Sequence, residues 1–190
     1  MMKVVGYDTE TTGLAPGDHR IIEVALLTYD LRTEKLIDRY VQRINPQRAI
    51  DAAAQKVHKI SISDLAGCPV WKDVAPEVHK RLSDADLIVA HNGDGFDAPF
   101  TNYELKRIGL TEIKTPWFDT MLEGRCATPE GSVPNLGKLC AAFDVPYSTG
   151  AAHAADYDVE VMMACFFKGV RWQSFTLPFD TTEIDLAAAA

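Results

Sequence analysis

The sequence KVVGYDTETTGL, at residues 3–14, joins an apolar run to acidic and hydroxyl side chains. Residues 3–8 predict a buried β-strand that ends at the carboxylate of Asp8. A carboxylate at the end of a buried strand is costly unless it is paired or binds a metal. Since alternate residues of a strand point to the same face, Asp8 and Glu10 can both reach one ion if the strand continues that far. The alternative is a solvated strand end followed by a turn.

The rest of the chain supplies the other elements of an α/β domain. Further strands are predicted at 21–29, 35–44, 86–90 and 113–118, and helices at 50–58, 73–83, 98–108, 119–126, 135–143 and 156–168. Three strands come first, and strands then alternate with helices, which is typical of an α/β domain with a mixed sheet. We expect one domain over residues 1–168. Residues 169–190 show no clear periodicity, and we expect them to form a C-terminal extension that is partly disordered.

Composition narrows the class of protein. The chain has 190 residues, of which 47% are hydrophobic and 24% charged, as in an ordinary globular domain. Its net charge of −8 argues against a protein that coats duplex DNA through a broad basic surface. We find no signal peptide and no apolar run long enough to span a bilayer. The cysteines are scattered and form no C-x-x-C pair, so we expect free thiols in a cytoplasmic protein: Cys68, Cys126, Cys140 and Cys165.

A second group of polar residues follows the predicted strand at 86–90. Residues 91–97 read HNGDGFD and lead into a predicted helix. Ligands gather beyond the carboxyl ends of strands in open sheets, so this is a second candidate site. The simpler interpretation is a helix cap, which either Asp94 or Asp97 could provide.

A third group stands at the start of the last predicted helix, where His153 precedes two carboxylates, Asp156 and Asp158. Either carboxylate could bind a ligand. An exposed histidine before a capped helix is the simpler alternative.

Together these segments resemble the DnaQ-like, or DEDDh, 3′→5′ exonuclease superfamily. The residues from Asp8 to Leu14 match the family's first motif, D-x-E-T-T-G-L. His91-Asn92 followed by Phe96-Asp97 matches the family's second motif. His153 and Asp158 match the form H-x-x-x-x-D, which selects Asp158 over Asp156. The resemblance covers about residues 3–168. It implies a ribonuclease H-like fold, in which helices flank a five-stranded sheet of three antiparallel and then two parallel strands.

The sequence departs from the family at two positions. Three residues, where many relatives have two, separate His91-Asn92 from Phe96-Asp97, so we expect a loop of different shape before Asp97. Lys59 stands where relatives usually have glycine. Neither change removes a catalytic residue type.

The resemblance also implies a mechanism. Asp8, Glu10, Asp97 and Asp158 would bind two Mg²⁺ or Mn²⁺ ions per site, one orienting the attacking water and one stabilising the departing 3′ oxygen. His153 would be the general base. The expected reaction is hydrolysis of single-stranded or frayed DNA ends to nucleoside 5′-monophosphates.

Residues beside these motifs are the candidate substrate contacts: Thr11, Thr12, Gly13, Leu14, His58, Asn92 and Phe96. Leu14 would wedge against the terminal base, and the amides of Thr11 and Thr12 would bind the terminal 3′-hydroxyl. Aromatic stacking would hold bases with little sequence preference, and Phe96 and Phe100 are the candidates, although Phe96 is an equally good core residue.

Other functions remain open from the sequence. The expected partner is the 3′ end of a single strand, with DNA favoured over RNA, and a DNA polymerase is a candidate protein partner. An RNA 3′ exonuclease resembling oligoribonuclease is the first alternative, since no residue reveals a contact to the 2′-hydroxyl. The others are a non-catalytic, polymerase-associated binding module and a phosphodiesterase that acts on small molecules.

Overall fold

A five-stranded sheet forms the centre of the molecule in the computed structural model, which describes residues 1–148, 150 and 155–179. The strands are β1 (Lys3–Thr11), β2 (Ile21–Asp30), β3 (Leu36–Arg43), β4 (Leu87–Ala90) and β5 (Trp117–Asp119). Their order across the sheet is β3-β2-β1-β4-β5. Strands β1 to β3 are antiparallel, whereas β4 and β5 run parallel to β1. The predicted mixed sheet is therefore confirmed.

Six α-helices and three single turns accompany the sheet in the described residues. The helices are α1 (Ala52–His58), α2 (Trp71–Ser83), α3 (Ala98–Arg107), α4 (Thr120–Glu123), α5 (Leu136–Ala142) and α6 (Ala155–Arg171). Ser63–Leu65 and Gly124–Ala127 are 3₁₀ turns, and Gly93–Asp97 is a π turn. Each predicted helix occurs, with bounds that differ by a few residues.

Strands β1 and β5 differ most from the prediction at their ends, and the other three differ by one residue at one or both ends. Strand β1 continues to Thr11, because β2 pairs with it as far as Ile21, across a bulge between Glu10 and Thr11. Strand β5 begins only at Trp117. The residues before it bond to helices instead: the amide of Ile113 donates to Asn102 Oδ1 at 2.9 Å, and the Thr115 hydroxyl donates to the carbonyl of Leu82 at 2.6 Å.

The sheet separates two hydrophobic cores. Val5 and Tyr7 of β1 belong to the core beneath α2 and α3, and Val4 belongs to the core beneath α5 and α6. Side chains alternate along a strand, so Gly6, Asp8 and Glu10 share the α6 face with Val4. The pleat of β1 therefore directs both acidic side chains toward α6.

The segment after α6 contributes to the second of these cores. Phe175 and Leu177 are buried there, and the Phe175 ring lies 5.3 Å from that of Phe118 and 5.1 Å from that of Phe143. Gly169 makes this possible, because a Cβ at that position would lie 2.3 Å from the Phe175 ring. Part of the predicted extension is thus packed, and residues 180–190 lie outside the described part of the chain.

Two further expectations concern cysteines and membranes. The four cysteines are free thiols, and Cys140 and Cys165 are buried in the core beneath α5 and α6. None of the described helices combines the length and apolar character that crossing a membrane requires.

Helix α6 lies directly against β1 at Gly6. A Cβ built on Gly6 would lie 2.6 Å from Val159 Cγ1 and 2.6 Å from Met163 Cγ. Real Cβ atoms do not approach so closely, so any larger residue at position 6 would force the side chains of Val159 and Met163 to shift. This contact sets the distance between the acidic end of β1 and the start of α6.

We predict that Gly6→Ala lowers the free energy of unfolding by about 1–3 kcal/mol, the usual cost of overpacking a dense core. Urea denaturation monitored by circular dichroism measures this. Gly67→Ala is the matched control, because a Cβ there meets no atom within 4 Å and Gly67 has no positive φ. Its stability should change by less than about 0.5 kcal/mol. Equal stability of the two variants would contradict the tight β1–α6 contact.

Candidate active site at the end of β1

Asp8 and Glu10 lie near the end of β1 and are partly buried. Asp8 lines a cleft of about 680 Å³ on the α6 side of the sheet, and Asp158 of α6 lines the same cleft. The other lining residues are His91, Met121, Asn135, Leu136, Gly137, Tyr147, Val159 and Met162. The structure therefore brings Asp8 of the first motif and Asp158 of the third to one cleft.

Asp97 of the second motif reaches the same region from the other side of β1. It is 2% exposed, and its Oδ1 accepts a hydrogen bond of 2.7 Å from the Thr9 hydroxyl. Thr9 lies between Asp8 and Glu10, so this bond ties Asp97 to the acidic end of β1. Asp94 is exposed instead, and neither aspartate caps α3 through its side chain.

The choice between Asp156 and Asp158 is equally clear in the structure. The carboxylate of Asp156 pairs with Arg39 of β3 at 3.0 Å and is 42% exposed. Arg39 also pairs with Glu160, so two acidic residues of α6 belong to a surface ion-pair network. Asp158 lines the cleft with Asp8. Only Asp158 is thus placed beside the end of β1.

Burial and neighbouring carboxylates raise the pKa values of three of these residues, Asp8, Glu10 and Asp97. Burial is the largest cause for Asp8, whose pKa lies well above its ordinary value, and Asp97, Glu10 and Asp158 raise it further. Burial likewise raises the pKa of Glu10 to about 8, with Glu23, Asp158 and Asp97 adding to the effect. The pKa of Asp97 rises to about 7 through burial, although the Thr9 hydrogen bond lowers it. The four carboxylates therefore lie within electrostatic reach of one another.

The chemistry of this cluster suits hard divalent cations. Carboxylate oxygens are the ligands that Mg²⁺ and Mn²⁺ prefer, and positive charge would offset the mutual repulsion that raises these pKa values. Within the described ranges, no three His, Cys, Asp or Glu side chains are already arranged around a single point for a metal ion. The residue types and their electrostatic coupling fit the predicted metals, and binding would require the side chains to turn toward a common ion.

Asp119 organises the loop that carries Asp97. It is 4% exposed, and its carboxylate accepts hydrogen bonds from the amides of Asn92 at 3.0 Å and Asp94 at 3.1 Å. The same carboxylate caps α4 by accepting from the amide of Met121 at 2.8 Å. Asn92 adopts a positive φ of 67°, so the loop turns sharply here. Asp119 thus links the end of β5 to the turn before Asp97.

Sequence reasoning missed three residues near the site. Thr9 was overlooked because the alternation of β1 assigns it to the opposite face from Asp8. Glu23 lies directly across from Glu10 on β2, is 7% exposed and pairs with Arg43 at 2.8 Å. The signal for Glu23 was a lone carboxylate within the apolar run of β2. Tyr147 lines the cleft from a loop, where no periodicity indicates its position.

The predicted substrate contacts of the first motif lie in the loop between β1 and β2. Leu14 is 81% exposed and is free to contact a ligand. Thr11 is buried, and its hydroxyl donates to the carbonyl of Gly13 at 2.7 Å. The Thr12 amide already donates to the carbonyl of Arg20 at 2.8 Å, so the expectation that it binds a 3′-hydroxyl is wrong for this structure.

Gly13 is needed for this loop. A Cβ at Gly13 would lie 2.2 Å from the ring of His19. That ring bonds to the hydroxyl of Thr12, with Nδ1 3.1 Å from Oγ1. Gly13 therefore lets the loop close tightly over His19, with Leu14 projecting outward.

The other predicted contacts have mixed placements. His58 is buried at the end of α1, and its Nδ1 accepts from the amide of Ile60 at 3.0 Å, which places the proton of the neutral ring on Nε2. Phe96 is partly buried, and its ring lies 5.4 Å from that of Phe100. Phe100 is fully buried, so the idea that it stacks on a base is wrong. His153 lies outside the described residues.

Comparisons with known proteins agree with this arrangement. The family model RNase_T, described as exonuclease, matches residues 5–166. The DNA polymerase III subunit epsilon of Rickettsia prowazekii is 33% identical over 192 residues, which cover 97% of this chain and 82% of that protein. The PolC-type DNA polymerase III of Ureaplasma parvum is 33% identical over 161 residues, but the match spans only 11% of its length.

Solved structures share the fold. Exonuclease I of E. coli in complex with a dT13 oligonucleotide superposes with a TM-score of 0.77 at 18% identity, covering 90% of this chain and 41% of that one. The zinc-bound form of the E. coli ExoI–ssDNA complex has a TM-score of 0.78 at 20% identity, covering 91% and 41%.

The raised pKa values generate a prediction about stability. The folded protein holds protons on Glu10 and Asp97 up to about pH 8 and 7, whereas unfolded carboxylic acids release theirs near pH 4. The free energy of unfolding should therefore fall by at least about 1 kcal/mol as the pH rises from 5 to 8 in EDTA. Urea denaturation at several pH values measures this fall.

Asp97→Asn should flatten this pH dependence. The amide oxygen can still accept from Thr9, while one titrating group and its repulsion of Asp8 and Glu10 are removed. Glu112→Gln, which removes a carboxylate from an exposed loop, is the control and should keep the slope of the unaltered protein. If the free energy of unfolding changed equally with pH in all three proteins, the electrostatic coupling of Asp97 to Asp8 and Glu10 would be contradicted.

Proposed function

Because the chain belongs to the RNase_T exonuclease family, we propose that it is a metal-dependent 3′→5′ exonuclease. It would hydrolyse single-stranded or frayed DNA ends to nucleoside 5′-monophosphates. The observation that carries this proposal is the electrostatic coupling of Asp8, Glu10, Asp97 and Asp158 beside an open cleft. A fold that had lost its activity would be free to replace any of the four, so their joint presence supports an enzyme over a binding module.

The four carboxylates would hold two Mg²⁺ or Mn²⁺ ions. When bound, these ions supply the positive charge that stabilises a phosphoryl transition state and favours deprotonation of water near pH 7. The protein contributes the positions of the ligands. Thr9 holds the Asp97 carboxylate against β1, and Asp119 fixes the turn that leads to it. Gly6 allows α6 to bring Asp158 close to Asp8.

His153 is the proposed general base. It precedes Ala155, the first residue of α6, by two positions in the chain. A neutral imidazole accepts a proton near pH 7, so His153 is suited to deprotonate the attacking water. Leu14, exposed in the loop that follows β1, is the proposed contact to the terminal base. Thr11, Gly13, His58, Asn92 and Phe96 complete the proposed substrate-binding set.

DNA is the proposed substrate, and a DNA polymerase is a proposed partner. Two kinds of relative are named as DNA polymerase III proteins, and a structural neighbour is named as an exonuclease in complex with an oligonucleotide of deoxythymidine. The chain spans about a tenth of the PolC-type relative and less than half of the exonuclease I chain. Activity in the cytoplasm is part of the same proposal.

A gel assay with 5′-labelled single strands tests the activity. With Mg²⁺ or Mn²⁺, a DNA oligonucleotide should shorten one nucleotide at a time from its 3′ end, and EDTA should stop the reaction. A matched RNA oligonucleotide should react more slowly. Faster degradation of RNA would favour the RNA exonuclease, and cleavage of small phosphodiesters alone would contradict action on nucleic acids.

Neighbouring aspartates provide matched variants for the ligand assignment. Asp158→Asn should lower the rate by about 10²-fold or more, because it removes a proposed metal ligand from the cleft. Asp156→Asn removes the same charge two residues away, at the surface pair with Arg39, and should retain most of the activity. Likewise, Asp97→Asn should lower the rate strongly, whereas Asp94→Asn should retain most of the activity. Loss of activity in Asp156→Asn with full activity in Asp158→Asn would overturn the assignment.

A further inference from the structure

A second cleft lies on the other side of the sheet from α6, where the core beneath α2 and α3 reaches the surface. It has a volume of about 620 Å³ and lies between the β1–β2 loop, the segment after β3, the start of α2 and the end of α3. Its charged lining residues are Arg20, Arg48, Lys72 and Arg107, with Asp18 and Glu104. Cationic groups thus outnumber carboxylates here, although the chain as a whole carries a net charge of −8.

Glu104 pairs with two of the three arginines of this cleft, Arg107 and Arg20. Its side chain is fully buried, and it accepts hydrogen bonds from Arg107 Nε and Nη2, both at 2.8 Å. Arg20 Nη1 lies 3.8 Å from Oε1 of the same carboxylate. A buried carboxylate needs such pairing, and the pairing in turn holds the planar guanidinium groups in place. The bidentate contact leaves Arg107 Nη1 for a ligand.

The remaining two cations, Lys72 and Arg48, are held less firmly than the arginines that pair with Glu104. Lys72 is exposed and, among the residues that the structure describes, has no hydrogen-bond or ion-pair partner. Arg48 lies 3.6 Å from Asp18, whose carboxylate is 78% exposed, so this pair is solvated and weak. Two fixed arginines and two adaptable cations therefore border one cavity, an arrangement suited to several phosphate groups.

The β1–β2 loop connects this cleft with the acidic end of β1. Leu14 is exposed in this loop, four residues after Glu10 in the chain, whereas Arg20, at the far end of the same loop, lines the basic cleft. The loop is anchored to the next segment by the amide of Asp51, which donates to the carbonyl of Thr12 at 2.9 Å. A strand whose 3′ end lies beside Leu14 could therefore follow the loop to the cleft.

We propose that the cleft bordered by Arg20, Arg48, Lys72 and Arg107 binds backbone phosphates of the strand being degraded, upstream of its 3′ end. This inference rests on the proposed function, because the strand is the phosphate polymer that would leave the active site. The cleft gives an acidic protein a local cationic surface without placing cations among the carboxylates. It should matter for long strands and not for very short ones.

The test compares a long and a short substrate in two double variants. Arg48→Gln/Lys72→Gln removes the two adaptable cations and spares the arginines that pair with Glu104. Lys35→Gln/Lys114→Gln removes the same charge from exposed positions outside the cleft and serves as the control. Urea denaturation should show the same midpoint for both double variants as for the unaltered protein, because the substituted side chains lie at the surface.

For an oligothymidylate of about 16 nucleotides, the upper end of single-strand site sizes, the cleft variant should show a KM about tenfold higher with an unchanged kcat. Fluorescence anisotropy in EDTA should show the same loss of affinity, and the slope of log K against log salt should fall by about 1.4, as expected for two lost phosphate contacts. The KM for a trinucleotide should not change. The control should resemble the unaltered protein in every measurement.

Three results would overturn the inference. The first is equal affinity of both double variants for the long strand. The second is an equal loss on the trinucleotide, which would place these cations at the active site. The third is binding of thymidine monophosphate to the cleft, detected as competition that the cleft variant no longer shows, while the affinity for the long strand is the same in both proteins. Absence of hydrolysis by the unaltered protein would contradict the proposed function alone, because the anisotropy measurement needs no turnover.

Discussion

The contact between α6 and β1 at Gly6 is the constraint on which the site depends. Because position 6 has no side chain, Val159 and Met163 lie directly on the strand. The next residues on that face of β1 are Asp8 and Glu10, and the residue before Val159 is Asp158. A close helix–strand packing thus converts two separate pieces of sequence into one acidic cluster. The core beneath α6 supplies the apolar burial that holds these like charges together.

Most of the fold follows from hydrophobic periodicity and strand order. The order of three strands before an alternation of helices and strands predicted the mixed sheet, which the structure confirms. The boundaries that differed depend on tertiary contacts. Strand β5 is short because Ile113 and Thr115 bond to helices, and β1 is long because β2 extends alongside it. Neither partner is visible in the local sequence.

The site was predictable to the extent that its residues stand in motifs. Asp94 and Asp97, and likewise Asp156 and Asp158, are chemically equal in a sequence, and only a family pattern or a structure separates them. Thr9, Glu23 and Asp119 act through contacts with residues distant in the chain, as in the bond from Thr9 to Asp97. The Thr12 amide was predicted to bind a substrate, but it bonds to the carbonyl of Arg20. That partner lies eight residues away in a loop without periodicity. Local patterns cannot assign such bonds.

The position of Phe175 against Gly169 shows that the packed unit of this chain extends beyond the end of α6. The aromatic ring fills a hollow beneath the last turn of α6 and contacts Phe118 of β5 and Phe143 after α5. A polypeptide cut at the close of the helix would leave that hollow open to water and to non-specific association. An excised catalytic module of this chain would therefore need to include the short stretch after the helix that returns to the core and carries Phe175 and Leu177.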